Sequence, residues 1–521
     1  MGARLKDERF ALAAVCAVLF LTFLDTTVVS VALADVQSRL HAGVVQLQWV
    51  VNGYALTFAG LMMTAGTISD RFGRKRVMLS GLAVFAAGSL LGALAPNPAV
   101  LIAARVVMGA GAAASEPGTL SVIRHLYPDG EERARALGAW AAVSGLALAL
   151  GPVIGGVLVD AGTWRAVFWF NVAAVAVTLA LALAAVPESA DPVAGRADLA
   201  GFGTGATGLS AIIFATIYGE TNGYGNPTVV VLFVVGILLL VGFVRVERKV
   251  AAPMLELAYF GSAPFSGALV VVFVLFFGVF SIFFFTALYL AAVVGYSASR
   301  VALEFLPMTL SMIVASGLSG RRVAVAGPRS SLAEGCVMAG AGVLLSEVLL
   351  SRPGAPSSWL YLTLALAGFG FGTSVVPVTA VVLSVVPPQR SGMAAAATNT
   401  SRELGAVFGV AVLGALVNAH LTSDLTHRLR ALGVPKGFFG IIINAIETGL
   451  VPKGVGGGGS VQAGSIETKV FEAAYGAFRD GLDVALVTSG VAMVLAALVA
   501  AVTLRGKPGP PALELPAAPA P

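Results

Sequence analysis

Fourteen apolar stretches, each close to the ~20 residues that carry a helix across hydrocarbon, follow one another along this 521-residue chain. They run over 10–33, 47–67, 77–95, 99–122, 135–158, 166–186, 199–218, 228–245, 265–294, 301–325, 332–350, 359–385, 391–420 and 482–504. A segment immersed in lipid must pair its own backbone donors and acceptors, which leaves helices or closed barrels as the spanning structures. Continuous apolar runs of this length predict helices, so the expected fold class is an all-α polytopic membrane protein with 14 transmembrane helices. Hydrophobic residues make up 57% of the chain and charged residues 11%, against roughly 25% charged in a soluble domain. The 62 glycines suit helices that approach closely in lipid.

An even number of spans puts both termini on one side, and charge selects the side. With the termini cytoplasmic, inner segments hold 20 of the 32 Lys and Arg, short outer loops hold four (Arg39, Arg165, Arg300, Arg352), the long segment 421–481 holds six, and the spans keep Arg105 and Arg402. Short cytoplasmic loops are the basic ones and long loops translocate regardless of charge, so the termini are expected in the cytoplasm and the chain in the cell membrane. The net charge of +5, with no basic run outside the loops, fits anchoring at a membrane face and gives no nucleic-acid footprint. Cys16 and Cys336 lie far apart in apolar segments and read as small hydrophobes, with no disulfide or metal site implied. The polar start MGARLKDERF and the long first apolar run suggest no cleavable signal.

Segment 421–481 is the one sizeable extramembrane piece. It combines an amphipathic run LTSDLTHRLRALGV, a flexible GVGGGGSVQAG and a second run IETKVFEAAYGAFRDGL. Two short helices around a Gly-rich tip would make a hairpin over the outer mouth; a mobile linker is the alternative. The Pro/Ala-rich tail 505–521 reads as disordered.

Charged residues at membrane depth mark the candidate machinery. Between spans 2 and 3 the chain reads GTISDRFGRKRVML, a knot of Asp70, Arg71, Arg74, Lys75 and Arg76 that must lie at a membrane face. Asp25 falls just past the middle of span 1, where a bare carboxylate costs about 2.5–3.5 kcal/mol and therefore faces a cavity or a partner. It is either a protonatable group or half of a fixed ion pair. Span 4 carries Arg105 and Glu116 eleven residues apart, nearly on one face and about 16 Å apart along the axis. Gly109, Gly111, Ala112 and Ala113 leave its other faces small, and Pro117 should loosen the helix after Glu116. Span 5 holds GLALALGPVIGG, from Gly145 to Gly156, whose Gly151 and Pro152 carry shape and no proton chemistry. Span 13 places Arg402 and Glu403 side by side, pointing about 100° apart and so not facing each other. Span 9 is rich in aromatics. Phe280 and Phe284 share a face there and, with Tyr289, are candidates for lining a cavity that attracts lipophilic cations, together with Tyr54 and Asn399.

All four histidines (His41, His125, His420, His427) fall in loops or at span ends, so proton coupling would use carboxylates. No Walker loop, metal-ligand cluster or nucleophile–His pairing is present in the sequence. No cofactor is expected, the proton gradient being the energy source, and no enzyme activity.

Taken in order along the chain, these motifs resemble the 14-span drug/proton antiporter branch of the major facilitator superfamily. LDTTVVSVAL resembles that branch's acidic first-span motif, GTISDRFGRKR the superfamily's loop between spans 2 and 3, and RVVMGAGAA its fourth-span arginine motif. GLALALGPVIGG is similar to the antiporter motif, WRAVFWFNV to the start of span 6, GETNGYGNP and PMLELAYF to the loops around spans 7 and 8, and TNTSRELGAVFGVAVLG to span 13. Ala34, Met108 and Ala173 depart from the usual residues, and Glu116 and Glu304 are acids where small or apolar residues are commoner, which points to cationic cargo or altered proton stoichiometry.

The resemblance implies two six-span bundles, 10–186 and 265–504, with spans 7 and 8 inserted; in domain terms, 1–190, the two inserted helices with a cytoplasmic linker 191–260, 261–504, and a cytoplasmic tail 505–521. It implies a cytoplasmic gate at Gly66, Asp70, Arg71, Gly73 and Arg74, and an antiporter helix with Gly145, Gly151, Pro152, Gly155 and Gly156. Proton coupling would fall to Asp25, Glu116, Glu403, Arg105 and Arg402. The expected function is proton-coupled export of lipophilic, cationic drugs or antiseptics by a monomer whose partners are small molecules, protons and the bilayer. A dedicated exporter of one natural product or lipid is the alternative, and a non-transporting receptor of the same fold the third reading.

Overall fold

The computed structural model describes residues 2–127, 130–189, 198–250, 253, 255–292, 294–350, 357–387, 391–439 and 466–504. The fourteen expected spans fall mainly on helical segments, the fourth and the ninth each on more than one. We number the helices α1 (Gly2–Leu40), α2 (Val44–Phe72), α3 (Arg74–Ala93), α4 (Pro98–Ser115), α5 (Pro117–Leu126), α6 (Gly130–Ala161), α7 (Arg165–Ala185), α8 (Leu199–Asn222) and α9 (Pro227–Glu247). There follow α10 (Ala263–Ser281), α11 (Ala287–Ala292), α12 (Ala298–Leu350), α13 (Ser357–Val385), α14 (Ser391–Ala431) and α15 (Ile466–Thr503). Among the described residues, thirteen helical segments are long and apolar enough to cross a membrane. The second expected span, 47–67, lies on the 29-residue α2. The chain is a multi-pass membrane protein.

Local chemistry sets the helix boundaries. Asn97 accepts from Val100 N at 3.0 Å with Pro98 in the first turn, and Asn226 does the same for Thr228 N ahead of Pro227, the side-chain cap and N-terminal proline that start helices. Pro117 divides the fourth span into α4 and α5 as expected, with Glu116 at the joint. Spans 10 and 11 form one long helical element, α12, broken only at Gly327, whose φ of 79° leaves the helical region. Gly73, between α2 and α3, has φ 109°. Both tight turns need a backbone conformation that costs a side-chain-bearing residue energy.

The helices associate as two groups, α1–α7 and α10–α15. Between the groups α6 lies along α12 and α2 along α14. In a chain built from two related halves these are exchanged contacts, span 5 on span 10 and span 2 on span 13. The hairpin α8–α9 packs through α8 against both α2 and α14, while α9 turns Val231 and Leu238 outward, 58% and 64% exposed, as a lipid-facing helix should. We call the face where α1 begins proximal and the opposite face distal.

The distal segment corrects one expectation. The run 421–434 is not a separate short helix: α14 continues unbroken to Ala431, and 466–482 is likewise the first half of α15. The two extensions run side by side, cross-linked where Arg428, held on its own helix by Asp424 at 2.5 Å, reaches Asp480 at 2.6 Å. The Gly-rich tip and the tail 505–521 lie outside the described residues.

Candidate substrate and coupling site

Asp25 is fully buried. Arg105 pairs with its Oδ2, and Asn171 Nδ2 donates to its Oδ1 at 2.6 Å. Arg105 Nε also donates to the Val50 carbonyl at 2.9 Å, and the guanidinium lies 4.4 Å from the centre of the Tyr54 ring, whose hydroxyl donates to Thr22 O. Four helices, α1, α2, α4 and α7, are thereby tied at one point inside the first group. Both carboxylate oxygens have hydrogen-bond partners, and Tyr54 belongs to this cluster.

Glu116, still helical and bonded through its N–H to Ala112 O at 3.0 Å, reaches the boundary between groups, where Asn399 Nδ2 of α14 donates to its Oε1 at 3.2 Å. Its Oε2 is buried with no hydrogen-bond partner among the described residues. One helical turn beyond Asn399, Arg402 sits 4.1 Å from the centre of the Phe23 ring on α1 and 5.3 Å from that of Phe276 on α10. The expectation that Arg402 and Glu403 do not face each other is wrong: Arg402 Nε lies 3.5 Å from Glu403 Oε1, the long side chains spanning the angle between adjacent helix positions. The contact is too loose for a hydrogen bond. Arg402 Nε and Nη2 and Glu403 Oε2 are buried without hydrogen-bond partners among the described residues, as are both amide atoms of Asn52 on α2. Partly satisfied buried polar groups are costly, which makes Glu116, Arg402 and Glu403 the candidate site.

The expected aromatic lining is only partly assembled. Phe280 stacks on Phe276 at 5.8 Å, and it is Phe276 that borders Arg402. A π-helical turn, Ile282–Thr286, re-phases the span between Phe280 and Tyr289. Phe284 packs edge-on against Phe285, and Tyr289 stacks on Phe478 of α15, so the three rings do not form one wall. Glu304, the other unusual acid, is held by Arg300 Nη2 at 3.1 Å and the Tyr361 hydroxyl at 3.3 Å inside the second group.

The antiporter motif has two faces. On Gly151 a Cβ would overlap Thr27 Oγ1, which donates to Leu148 O at 3.0 Å, and on Gly155 it would sit 2.6 Å from Val28 O; this face packs on α1. Gly156 faces the other group, with Ala298 O and Ala302 Cβ each 2.7 Å from a Cβ placed there, and Gly145 lies opposite Ser316. Pro152 is buried within α6. Just beyond, Asp160 accepts from Ala298 N at 3.1 Å and Ser299 N at 2.9 Å, closing the two groups on each other at the distal face.

At the proximal face Gly73 turns the chain into α3, Gly66 lies against Pro117, and exposed Arg71 sits over Phe72 at 5.5 Å. The Asp70 side chain lies outside the described residues. Arg74 N donates to Ser189 O at 2.9 Å, Lys75 N to Glu188 Oε1 at 3.1 Å and Lys75 Nζ to Leu183 O at 2.8 Å, and Arg76 reaches Glu188 Oε2 at 3.6 Å. Asn171, Phe23, Phe276 and Glu188 contact the candidate residues without having been singled out in the sequence. Asn171 stood within WRAVFWFNV, and Glu188 follows directly on the sixth span.

Two helix groups in contact through α6–α12 and α2–α14, with polar side chains buried between them, are matched by sequence comparison. The model of the Major Facilitator Superfamily fits residues 15–410. The chain belongs to the major facilitator superfamily. Among superfamily relatives it is 34% identical to the multidrug resistance protein Stp of Mycobacterium tuberculosis, over 80% of this chain and 77% of that one. It is 30% identical to the multidrug efflux pump LfrA of Mycolicibacterium smegmatis (95% and 96% covered) and to the tetracenomycin C resistance and export protein of Streptomyces glaucescens (95% and 92%). Among solved structures, a bacterial homologue of the human lysosomal transporter Spinster shares the fold, with a TM-score of 0.64 at 17% identity, covering 96% of this chain and 97% of that one.

Proposed function

We propose that this chain is a proton-driven exporter of lipophilic drugs or antiseptics, cations included, that works by alternating access between the two helix groups. The observation that carries the reading is the Glu116–Asn399 hydrogen bond, a carboxylate of one group held by an amide of the other with its second oxygen unpartnered. Whatever binds that oxygen acts on the contact between groups. Three carboxylates (Asp25, Glu116, Glu403) face two guanidiniums (Arg105, Arg402), so the ionised centre carries one surplus negative charge, which one proton or one monovalent cation neutralises. Competition for that charge, joined to alternating access, couples their opposite movements.

Asp25 is a positioning residue in this reading, and Glu116 and Glu403 exchange proton for cargo. Relatives named for multidrug resistance and efflux support the cargo class. The basic proximal loops support cytoplasmic termini in the cell membrane, and the site lies within one chain, which supports a monomer. A dedicated single-compound exporter is the second reading, favoured by the relative named for tetracenomycin C; an efflux panel in a susceptible host separates the two.

The test is dye efflux and substrate-induced proton release in inverted vesicles. Glu403→Gln should abolish proton release, and Glu116→Gln should change which cations are carried. Wild-type proton release by both variants overturns the reading.

A further inference from the structure

Arg402 is 8% exposed, and its Nε and Nη2 are buried with no hydrogen-bond partner among the described residues. Glu403 Oε1, 3.5 Å from Nε, balances its charge without making a hydrogen bond. The Phe23 and Phe276 rings border the guanidinium, one from each helix group. A guanidinium carries its donors in its own plane. Beside two aromatic rings, what remains for a ligand is an in-plane edge of N–H groups next to π surface.

Resting on the exporter reading, we propose that this edge binds cargo: neutral, planar aromatic compounds bearing a carbonyl acceptor, so that transport is not confined to cations. The carbonyl oxygen accepts from the Arg402 edge while the aromatic body lies against Phe23 and Phe276. The ligand is neutral because Glu403 already matches the arginine's charge, and an anion would compete with it. It is aromatic because its neighbours are rings. Seated there, the ligand touches α1 and α10 together, and so both halves of the transporter.

Purified protein tests this with 9-fluorenone and fluorene, tricyclic compounds of one outline that differ by a single carbonyl oxygen. Equilibrium dialysis gives a ratio of their Kd values, and comparing ratios between variants cancels partition into detergent. Sites built around hydrogen bonds discriminate strongly against analogues that cannot make them. The wild type should favour fluorenone at least tenfold over its partition ratio. Arg402→Met should bring that preference near unity, and Arg402→Lys, which keeps the charge and loses the fork, should leave a fraction of it. Equal ratios in the three proteins overturn the proposal. If Arg402→Met does not fold, absence of preference in the wild type, or a full preference in Arg402→Lys, overturns it as well. Fluorenone efflux with and without an uncoupler is measured in parallel. An Arg402-dependent preference without gradient-driven efflux upholds the binding site and rejects the exporter reading.

Discussion

Gly156→Ala should open the distal face. In the closed arrangement the new methyl would stand 2.7 Å from Ala298 O, 2.7 Å from Ala302 Cβ and 3.0 Å from Ser299 Cα. Two of these are backbone atoms at the start of α12 and cannot turn aside, so α12 itself must move. Overpacking of this kind costs about 1–3 kcal/mol, and the same shift lengthens the Asp160 bonds to Ala298 N and Ser299 N, now 3.1 and 2.9 Å. The cost falls on the distally closed state alone, so the closed-to-open ratio should drop about 5- to 150-fold. Spin labels on Ala161→Cys and Leu303→Cys, in a Cys16→Ser/Cys336→Ser background, would report the gap as a population of longer distances. Gly151→Ala is the control. Its methyl collides with Thr27 inside the first group, so it should lower the melting temperature without lengthening the distance. Wild-type distances in Gly156→Ala, or a wider gap in Gly151→Ala, would refute the assignment of the two faces.

Asp25→Asn leaves Arg105 a buried unbalanced charge, a loss of about 3–5 kcal/mol, so yield and melting temperature should fall; the double variant Asp25→Asn/Arg105→Gln should recover much of that loss. An Asp25→Asn protein of wild-type stability that has lost proton release would make Asp25 the titrating group instead. Glu188→Gln removes the carboxylate from Lys75 N and Arg76, and tryptic cleavage within 71–76 should accelerate several-fold in inverted vesicles; unchanged cleavage would mean that the loop is held by other contacts.

Spans and their order were legible because each obeys a local rule: hydrocarbon demands a helix of about 20 residues, and Asn97–Pro98, Asn226–Pro227 and Gly73 each mark a boundary by their own chemistry. The centre was legible in its charges but not in its pairing. Asp25, Arg105, Glu116, Arg402 and Glu403 stand out as polar residues at membrane depth. That Asp25 would take Asn171 from α7 depends on packing across 146 positions of sequence, which no local pattern encodes. Phe23 and Phe276 are ordinary apolar residues until Arg402 is placed beside them. The face shared by Phe280 and Phe284 assumed an unbroken α-helix, and the π turn broke that periodicity. The arms of 421–481 looked like short helices because their polar residues end the apolar run, yet polarity alone does not stop a helix, and no proline or αL glycine intervenes before Ala431.

The same division recurs at every level of this molecule. Within the first group several contacts are closed: Asp25 has both oxygens bonded, Thr27 closes on Leu148, and Gly151 and Gly155 leave α1 no room for a methyl. Between the groups they are few or half-made: one amide on Glu116, a loose Arg402–Glu403 pair, and one carboxylate at the distal end. A saturated interface resists separation because each broken bond strands a polar group in a dry interior, whereas a sparse one can open and repair with water or cargo. The helix α6 carries both kinds of surface, Gly151 and Gly155 toward α1 and Gly156 toward α12, so the glycine motif lies where the halves meet. On the proposed reading, the carboxylates that exchange protons are those whose hydrogen bonding is unfinished, Glu116 and Glu403, and depth in the membrane is not what distinguishes them from Asp25.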